Sequence, residues 1–184
     1  MDLPGAAAKV RRFEDHILPH LPDLYRAARR LVGRVDAAED LVQDTCLRAF
    51  GALDQLRHPE AAKAWLFSIL RSVFLRDAAR WDPVRPSSAK PDAQAAGGGG
   101  GRGPAADSPL QGALIEEARL ATLRLPIAFR EVVVLVHVGG FSYLEVAGIL
   151  GVPVGTVMSR LSRARRLLRA ALGAGDRDRS GERR

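Results

Sequence analysis

The sequence predicts an all-α protein made of two small helical domains joined by a flexible Gly/Pro-rich linker. Apolar residues recur at helical spacing before residue 80 and again after residue 110, and neither part shows a clear strand alternation. Residues 81–109 contain five consecutive glycines with several prolines and serines and almost nothing to bury. The total length of 184 residues allows two small cores on either side of this linker.

The element boundaries follow from apolar spacing, prolines and glycines. In the first domain, residues 1–82, we predict helices over 10–20, 22–33, 36–53 and 60–80. After the linker, residues 83–109, the second domain is residues 110–173, with helices over 110–123, 126–138, 142–150 and 153–172. The β-branched run within 132–138 favours a strand by propensity, but a single strand would have no partner. The tail, residues 174–184, mixes charges with glycine and is predicted to be disordered.

The third and fourth helices of the second domain are predicted to form a helix-turn-helix. Ser142 and Glu145 have the spacing of a capping box, which predicts a helix start at Ser142. Gly151 can end that helix in the left-handed conformation, and Pro153 suits the first turn of the next helix. Two short helices joined by so tight a turn are typical of proteins that read DNA in the major groove.

Five arginines of the last helix have no acidic residue three or four positions away. They are Arg160, Arg163, Arg165, Arg166 and Arg169. Such a run is often only a solvated helix face, but an uncompensated basic helix placed second in a helix-turn-helix suits phosphates and guanine edges. The net charge of +7, from 28 basic and 21 acidic residues, points the same way, although abundant arginine also accompanies GC-rich genomes.

Several classes of function are disfavoured by what the sequence contains. Cys46 is the single cysteine, so neither a disulfide nor a cysteine-rich zinc site can form within the chain. His16 and His20 have metal-ligand spacing, but Pro19 and Pro22 crowd that turn and no third ligand is evident. The chain shows neither a catalytic grouping nor a signal sequence. We therefore expect a cytoplasmic, non-enzymatic protein without cofactor, metal, membrane insertion or small-molecule substrate.

Acidic and amide side chains share one face of the predicted helix over 36–53. Asp36, which could cap the helix, lies on this face with Asp40, Gln43 and Asp44. Acidic residues are favourable near a helix N-terminus, which explains Asp36, Glu39 and Asp40 but explains Asp44 poorly. The alternative interpretation is that the face docks on a basic protein surface.

The two domains together resemble the sigma-70 family of bacterial RNA polymerase specificity subunits, in particular the small extracytoplasmic-function (ECF) group. The resemblance covers most of both domains. It rests on the segments AEDLVQDTCLRAF, AWLFSILRSVFLRDAAR and LPIAFREVVVLVHVGGFSYLEVAGILGVPVGTVMSRLSRAR, in this order and spacing. It implies a sigma factor that binds core RNA polymerase at the clamp helices of the largest subunit and at the flap, and that recognises promoter DNA. An anti-sigma factor would be a further partner of such a protein.

The resemblance also implies roles for individual residues. The polymerase-binding residues would be those of the acidic face: Asp36, Glu39, Asp40, Gln43 and Asp44. The minus 10 element would be contacted and held open by polar and basic residues after position 56: Arg57, His58, Lys63, Arg71, Ser72, Arg76 and Arg80. For Trp65, helically spaced apolar neighbours favour a packing role over base stacking.

The minus 35 element would be contacted by the last helix. The implied DNA-binding residues are Thr156, Met158, Ser159, Arg160, Ser162, Arg163 and Arg166. We expect Met158, Ser159, Ser162 and Arg163 to contact bases and the other three to contact phosphates. Met158 replaces the basic residue usual in the family, and Ser72 replaces an asparagine. The resemblance therefore does not identify the preferred promoter sequence.

The alternative function is that of a transcriptional regulator. A stand-alone helix-turn-helix regulator would also bind DNA but would act without core polymerase docking. Such a regulator would carry a ligand pocket or a dimer helix in its first domain. This sequence instead places an acidic helix before a basic, aromatic-containing one, which favours the sigma factor.

Overall fold

The computed structural model describes residues 3–76 and 109–181, with side-chain surroundings for 6–76 and 115–172. Within those ranges the chain is helical and contains no strand. The N-terminal lobe consists of α1 (Leu3–His16), α2 (Leu21–Val32), α3 (Val35–Gly51) and α4 (Ala62–Arg76), with short 3-10 turns at Leu18–His20, Leu53–Gln55 and Pro59–Ala61. The C-terminal lobe consists of α5 (Pro109–Leu123), α6 (Ile127–His137), α7 (Tyr143–Leu150) and α8 (Val154–Gly181).

The all-α prediction is confirmed, and each predicted helix is found with shifted ends. The first helix begins at Leu3 and ends at His16, because Pro19 lacks the N–H that a continuing helix needs and the chain turns through a 3-10 segment. The β-branched run is helical within α6. The linker and the end of the helix predicted over 60–80 lie outside the described residues.

Two local predictions are wrong. Asp36 does not cap α3: the N-cap is Arg34, which makes no side-chain cap hydrogen bond, and Asp36 lies in the first turn. The tail is not disordered from residue 174 onward, because α8 continues to Gly181. Once a helix is formed, each further residue adds a hydrogen bond without a new nucleation cost, and this offsets the poor helix propensity of the glycines.

The cores of the two lobes form one continuous hydrophobic cluster. In the N-terminal lobe Leu24, Leu41 and Phe67 are almost completely buried, and in the C-terminal lobe Val132 and Leu161 are. Across the boundary, the rings of Phe67 and Phe141 pack edge to face with centroids 4.9 Å apart. Aromatic pairs of this geometry add to the stabilisation from apolar burial. The lobes are therefore packed against each other as well as joined by a linker.

The C-terminal end of α2 receives two arginines from the other lobe. Arg130 of α6 is buried and donates from Nη1 to the carbonyl of Leu31 at 2.7 Å. Arg119 of α5 donates from Nη1 to the carbonyl of Gly33 at 2.9 Å. The last carbonyls of a helix lack intrahelical partners and carry partial negative charge, so cationic donors are favourable there. This boundary between the lobes, which includes Leu31, Gly33, Phe67, Arg119 and Arg130, is called the seam below.

A buried carboxylate also lies in the seam. Glu131 of α6 is 5% exposed and accepts a hydrogen bond from Nε of Arg71 in α4 at 2.9 Å. Burial raises the pKa of Glu131, although Arg71 and the more distant Arg160 act in the opposite direction. Removing the ionised carboxylate from water therefore costs more free energy than its attraction to the two arginines provides.

We expect Gly33→Ala to lower the free energy of unfolding by more than about 1 kcal/mol. Gly33 ends α2 with φ +84°, and an added Cβ would lie 2.6 Å from Cδ1 of Leu123 in the other lobe. The matched control is Gly148→Ala in α7, where nothing lies within 4 Å, and it should stabilise the protein by about 0.5–1 kcal/mol. Denaturant unfolding of both variants checks this, and equal effects would contradict the close contact at Gly33.

We expect Glu131→Gln to change how stability depends on pH. Because the folded-state pKa is raised above the ordinary 4.5, the folded protein holds this proton more tightly than the unfolded chain does. The stability that Glu131 contributes is thus fully present below pH 4.5 and is lost as pH rises through the raised pKa. Relative to the variant, the wild type should lose stability over this window in denaturant unfolding. The exposed Glu14→Gln should show no such trend, and a relative gain with rising pH would contradict the raised pKa.

Candidate polymerase and nucleic-acid interfaces

The helix-turn-helix has the local geometry that the sequence predicts. The capping box is present, with the amide of Ser142 donating to Oε2 of Glu145 at 2.8 Å and the amide of Glu145 donating to Oγ of Ser142 at 3.3 Å. Gly151 ends α7 with φ 65°. The axes of α7 and of the first part of α8 differ by 102°. This angle lies in the range for a helix-turn-helix, so α8 occupies the position of a recognition helix.

The predicted base-contact residues share one open face of α8. Val157, Leu161 and Ala164 are buried against the lobe, while Met158, Ser159, Ser162 and Arg163 are exposed on the outer side. Arg166 is also exposed, whereas Thr156 and Arg160 are half-buried. Within the described part of the chain, neither Arg163 nor Arg166 forms an ion pair with the protein. Both guanidinium groups are thus available to an external anion.

One large apolar side chain of the helix-turn-helix, that of Leu144, is not in the core. The spacing of Leu144 fits the apolar stripe of α7, but its side chain is 74% exposed. It occupies the first turn of α7, whereas Val146, Ala147 and Leu150 make the contacts of that helix with the rest of the lobe. Exposed Leu144 and Met158 give the open side of the motif an apolar component.

The acidic face of α3 points away from the core. Asp36, Glu39, Asp40 and Gln43 are exposed and Asp44 is half-buried, whereas the opposite side of the helix is buried. A side-chain hydrogen bond from Arg34 holds the pKa of Asp36 below its usual value.

The prediction overlooked Leu47, which is 65% exposed. It lies four residues after Gln43 and three after Asp44, so the spacing that defined the acidic face could have identified it. The outer side of α3 thus combines carboxylates with one large apolar side chain.

The residues predicted for the minus 10 element do not share one surface. Arg57, His58, Ser72 and Arg76 are exposed, and Nδ1 of His58 lies 3.2 Å from Oε1 of Glu60. Arg80 lies outside the described residues.

Two members of that set face the other lobe. Nζ of Lys63 lies 2.8 Å from Asp23 and 5.3 Å from the ring centroid of Phe141, and Arg71 is bonded to Glu131. In this arrangement Arg71 is therefore paired with a carboxylate across the seam, and Lys63 with a carboxylate of its own lobe. Their contact with the minus 10 element stays a prediction. Trp65 is half-buried against the core, as its predicted packing role requires.

Among the described residues, no group of three or more His, Cys, Asp or Glu side chains could hold a metal ion. Cys46 is half-buried, and burial raises the pKa of its thiol. No single described helix has the length and apolar character needed to cross a bilayer, while the bent pair α7 and α8 reaches that threshold only when taken together.

Comparison with known proteins agrees with this geometry. Residues 16–82 match sigma-70 region 2, and residues 115–168 match sigma-70 region 4. The first match covers α2 to α4. The second covers the helix-turn-helix, together with α6 and most of α5.

Individual proteins give the same result. The ECF RNA polymerase sigma factor EcfG of Rhodopseudomonas palustris is 39% identical over 160 residues, which cover 86% of this chain and 83% of EcfG. Two solved structures are similar over the fold. The sigma factor RpoE in complex with the anti-sigma factor NepR from Bartonella quintana has a TM-score of 0.66 and 34% identity, covering 88% of this chain and 96% of RpoE. CnrH in complex with the cytosolic domain of CnrY has a TM-score of 0.64 and 31% identity, covering 92% of this chain and 94% of CnrH. The chain therefore belongs to the ECF group of the sigma-70 family of RNA polymerase sigma factors.

Proposed function

We propose that this sigma factor docks on core RNA polymerase through the outer side of α3 and reads promoter DNA through α4 and α8. The observation that carries the proposal is the open outer face of α8, which presents exposed arginines beside small polar side chains. The protein itself would act in the cytoplasm and catalyse no reaction. Its contribution would be to select the start site and hold DNA strands apart.

The docking role of α3 is supported by charge and exposure. Its carboxylates lie outside the hydrophobic core, and the exposed Leu47 beside them supplies an apolar contact. Interfaces commonly surround an apolar anchor with complementary charges, which set orientation and speed of association. The clamp helices of the polymerase largest subunit are the proposed partner, as the family resemblance implies, with the flap as the contact of the C-terminal lobe.

The exposed polar residues of the N-terminal lobe suit the minus 10 element. Arg57 and Arg76 offer positive charge to a DNA backbone, and His58 and Ser72 offer polar groups to an extruded base. Lys63 could join them after its ion pair with Asp23 of the same lobe is broken, and Arg71 after its contact with Glu131 across the seam is broken. Promoter engagement by Arg71 would thus require the lobes to loosen at Glu131.

One solved relative, RpoE, is bound to the anti-sigma factor NepR, and the other, CnrH, is bound to the cytosolic domain of CnrY. Their similarity extends over both lobes of this chain. This supports an anti-sigma factor as a further partner of this protein.

The function as a whole is tested by reconstitution. The purified protein is mixed with bacterial core RNA polymerase, and co-elution and transcription from mapped promoters are measured. We expect a stable complex and initiation at a defined pair of promoter elements. A chain that binds a palindromic site as a dimer and forms no complex with the polymerase would contradict the proposal.

Reversing charge on α3 should weaken polymerase binding. We expect Asp40→Arg combined with Asp44→Arg to reduce co-elution at least tenfold while circular dichroism stays unchanged, because both side chains lie on the outer side of α3. Asp15→Arg, an exposed reversal on α1, serves as the control for net charge. Undiminished co-elution of the double variant would remove the docking role of this face.

Replacing one arginine of α8 should reduce promoter selectivity. We expect Arg163→Ala to cost about 1–3 kcal/mol of discrimination between the preferred and an altered minus 35 element, as for a bidentate contact with guanine. Arg166→Ala, one turn further along the helix, should weaken binding to all sequences alike and lower the salt dependence. Competition binding measured at several salt concentrations separates the two effects, and an equal loss on every sequence for Arg163→Ala would make it a phosphate contact.

A further inference from the structure

A basic cavity opens at the seam. It has a volume of about 400 Å³ and is lined by Tyr25, Arg26, Arg29, Arg30, Arg119, His137 and Val138. Helix α2 of the N-terminal lobe supplies the first four, and the C-terminal lobe supplies the rest. None of the lining residues is acidic. Cavities of this size commonly hold small molecules.

The arginines of this cavity differ in how far their charge is already matched. Arg26 is bonded to Asp23, and Nε of Arg119 donates to Oε2 of Glu116 at 2.8 Å. In the described part of the chain, Arg29 and Arg30 form neither a hydrogen bond nor a salt bridge. Two half-buried guanidinium groups therefore remain for a ligand.

The surroundings of Arg30 make an added anion favourable. Burial lowers the pKa of Arg30, and the neighbouring Arg119 lowers it further by repulsion. Glu116 compensates only in part, since it is bonded to Arg119. Cations that are held close together and partly removed from water are stabilised by an anion placed between them.

We propose that this cavity binds a small anion carrying adjacent phosphate groups, of the pyrophosphate or nucleoside polyphosphate class. Planar guanidinium groups bind phosphate oxygens in bidentate fashion, and several of them converge here. Arg119 is fixed in advance by Gly33 and Glu116, which lowers the entropic cost of binding. Half-buried Tyr25 provides an aromatic wall beside the phosphates, which suits a nucleobase.

The position of the cavity gives binding a structural consequence. Arg29 and Arg30 come from one lobe, and Arg119 and His137 come from the other. An anion held by both sets binds the packed arrangement better than the separated one and shifts the population toward it. The ligand would thus act as an effector that favours the packed lobes, in which Lys63 and Arg71 face the seam.

The test uses the full chain without polymerase, so its outcome does not depend on the proposed docking or promoter roles. Calorimetric titrations at constant ionic strength compare pyrophosphate, ATP and orthophosphate. We expect pyrophosphate and ATP to bind at least tenfold more tightly than orthophosphate, and tighter binding of ATP than of pyrophosphate would assign a role to Tyr25. Equal affinity for orthophosphate would overturn the requirement for adjacent phosphates.

Variants separate a built site from general attraction to a basic protein. Arg29→Gln with Arg30→Gln should weaken pyrophosphate binding at least tenfold. The matched control, Arg11→Gln with Arg124→Gln, removes the same charge from exposed positions in the two lobes and should leave affinity within twofold. Equal losses in both would overturn the proposal. If the first double variant does not fold by circular dichroism, Arg30→Lys keeps the charge but not the bidentate geometry, and unchanged affinity in that variant would overturn it as well.

Two further readouts test the coupling and the class of ligand. In small-angle scattering, the radius of gyration with pyrophosphate should be equal to or smaller than the value without it. An increase on binding would contradict the proposal that the ligand favours the packed lobes. Short duplex DNA without promoter elements should not compete for the cavity. Competition by such DNA that is lost in the Arg29/Arg30 double variant would assign the cavity to nucleic acid instead.

Discussion

The packed arrangement of the lobes depends on two neighbouring charged residues of α6 that are buried at the seam. Arg130 donates to the carbonyl of Leu31 in the other lobe, and Glu131 accepts from Arg71 of α4. Burying either charge alone would be strongly unfavourable, since desolvation penalties amount to several kcal/mol per ion. Glu131 has its partner across the seam, whereas Arg130 donates across the seam to Leu31 and within its own lobe to the carbonyls of Leu123 and Leu125. Separating the lobes therefore exchanges the contacts with Leu31 and Arg71 for water. The contacts across the seam thus favour one arrangement of the lobes, but water can replace them when the lobes separate.

Glu131 connects the two regions proposed to touch promoter DNA. It is bonded to Arg71, assigned to the minus 10 element, and it also acts electrostatically on Arg160 of the recognition helix. A DNA phosphate would offer each arginine the same kind of partner that the carboxylate offers in the packed state. With the proposed roles of Arg71 and Arg160, promoter binding and lobe packing would compete for the same cations, and the difference in their free energies would set the outcome.

The interactions that could be predicted from the sequence are those between residues close to each other along the chain. The capping box of Ser142 and Glu145 and the end of α7 at Gly151 depend on residues within one or two turns, and both are confirmed. The partners of Lys63 and Arg71 were not predictable in this way. Arg71 and Glu131 are 60 residues apart, and their meeting depends on how the two lobes pack. Spacing correctly placed Asp40 and Gln43 on the outside of α3, but it could not fix the first turn, where Arg34 rather than Asp36 is the N-cap.

The composition of the seam would allow a packed state to coexist with the proposed role of Arg71 in promoter binding. Apolar contact across it includes the Phe67–Phe141 pair, while Arg130, Arg119 and Arg71 add hydrogen bonds with ionised donors. Apolar contact is insensitive to other solutes at low concentration, whereas ionised donors can exchange one acceptor for another. A carbonyl or carboxylate of the protein, a phosphate of DNA or an acidic group of a partner are alternative acceptors for the same guanidinium groups. The lobe arrangement of this sigma factor is therefore expected to respond to whichever acceptor is present at the highest effective concentration.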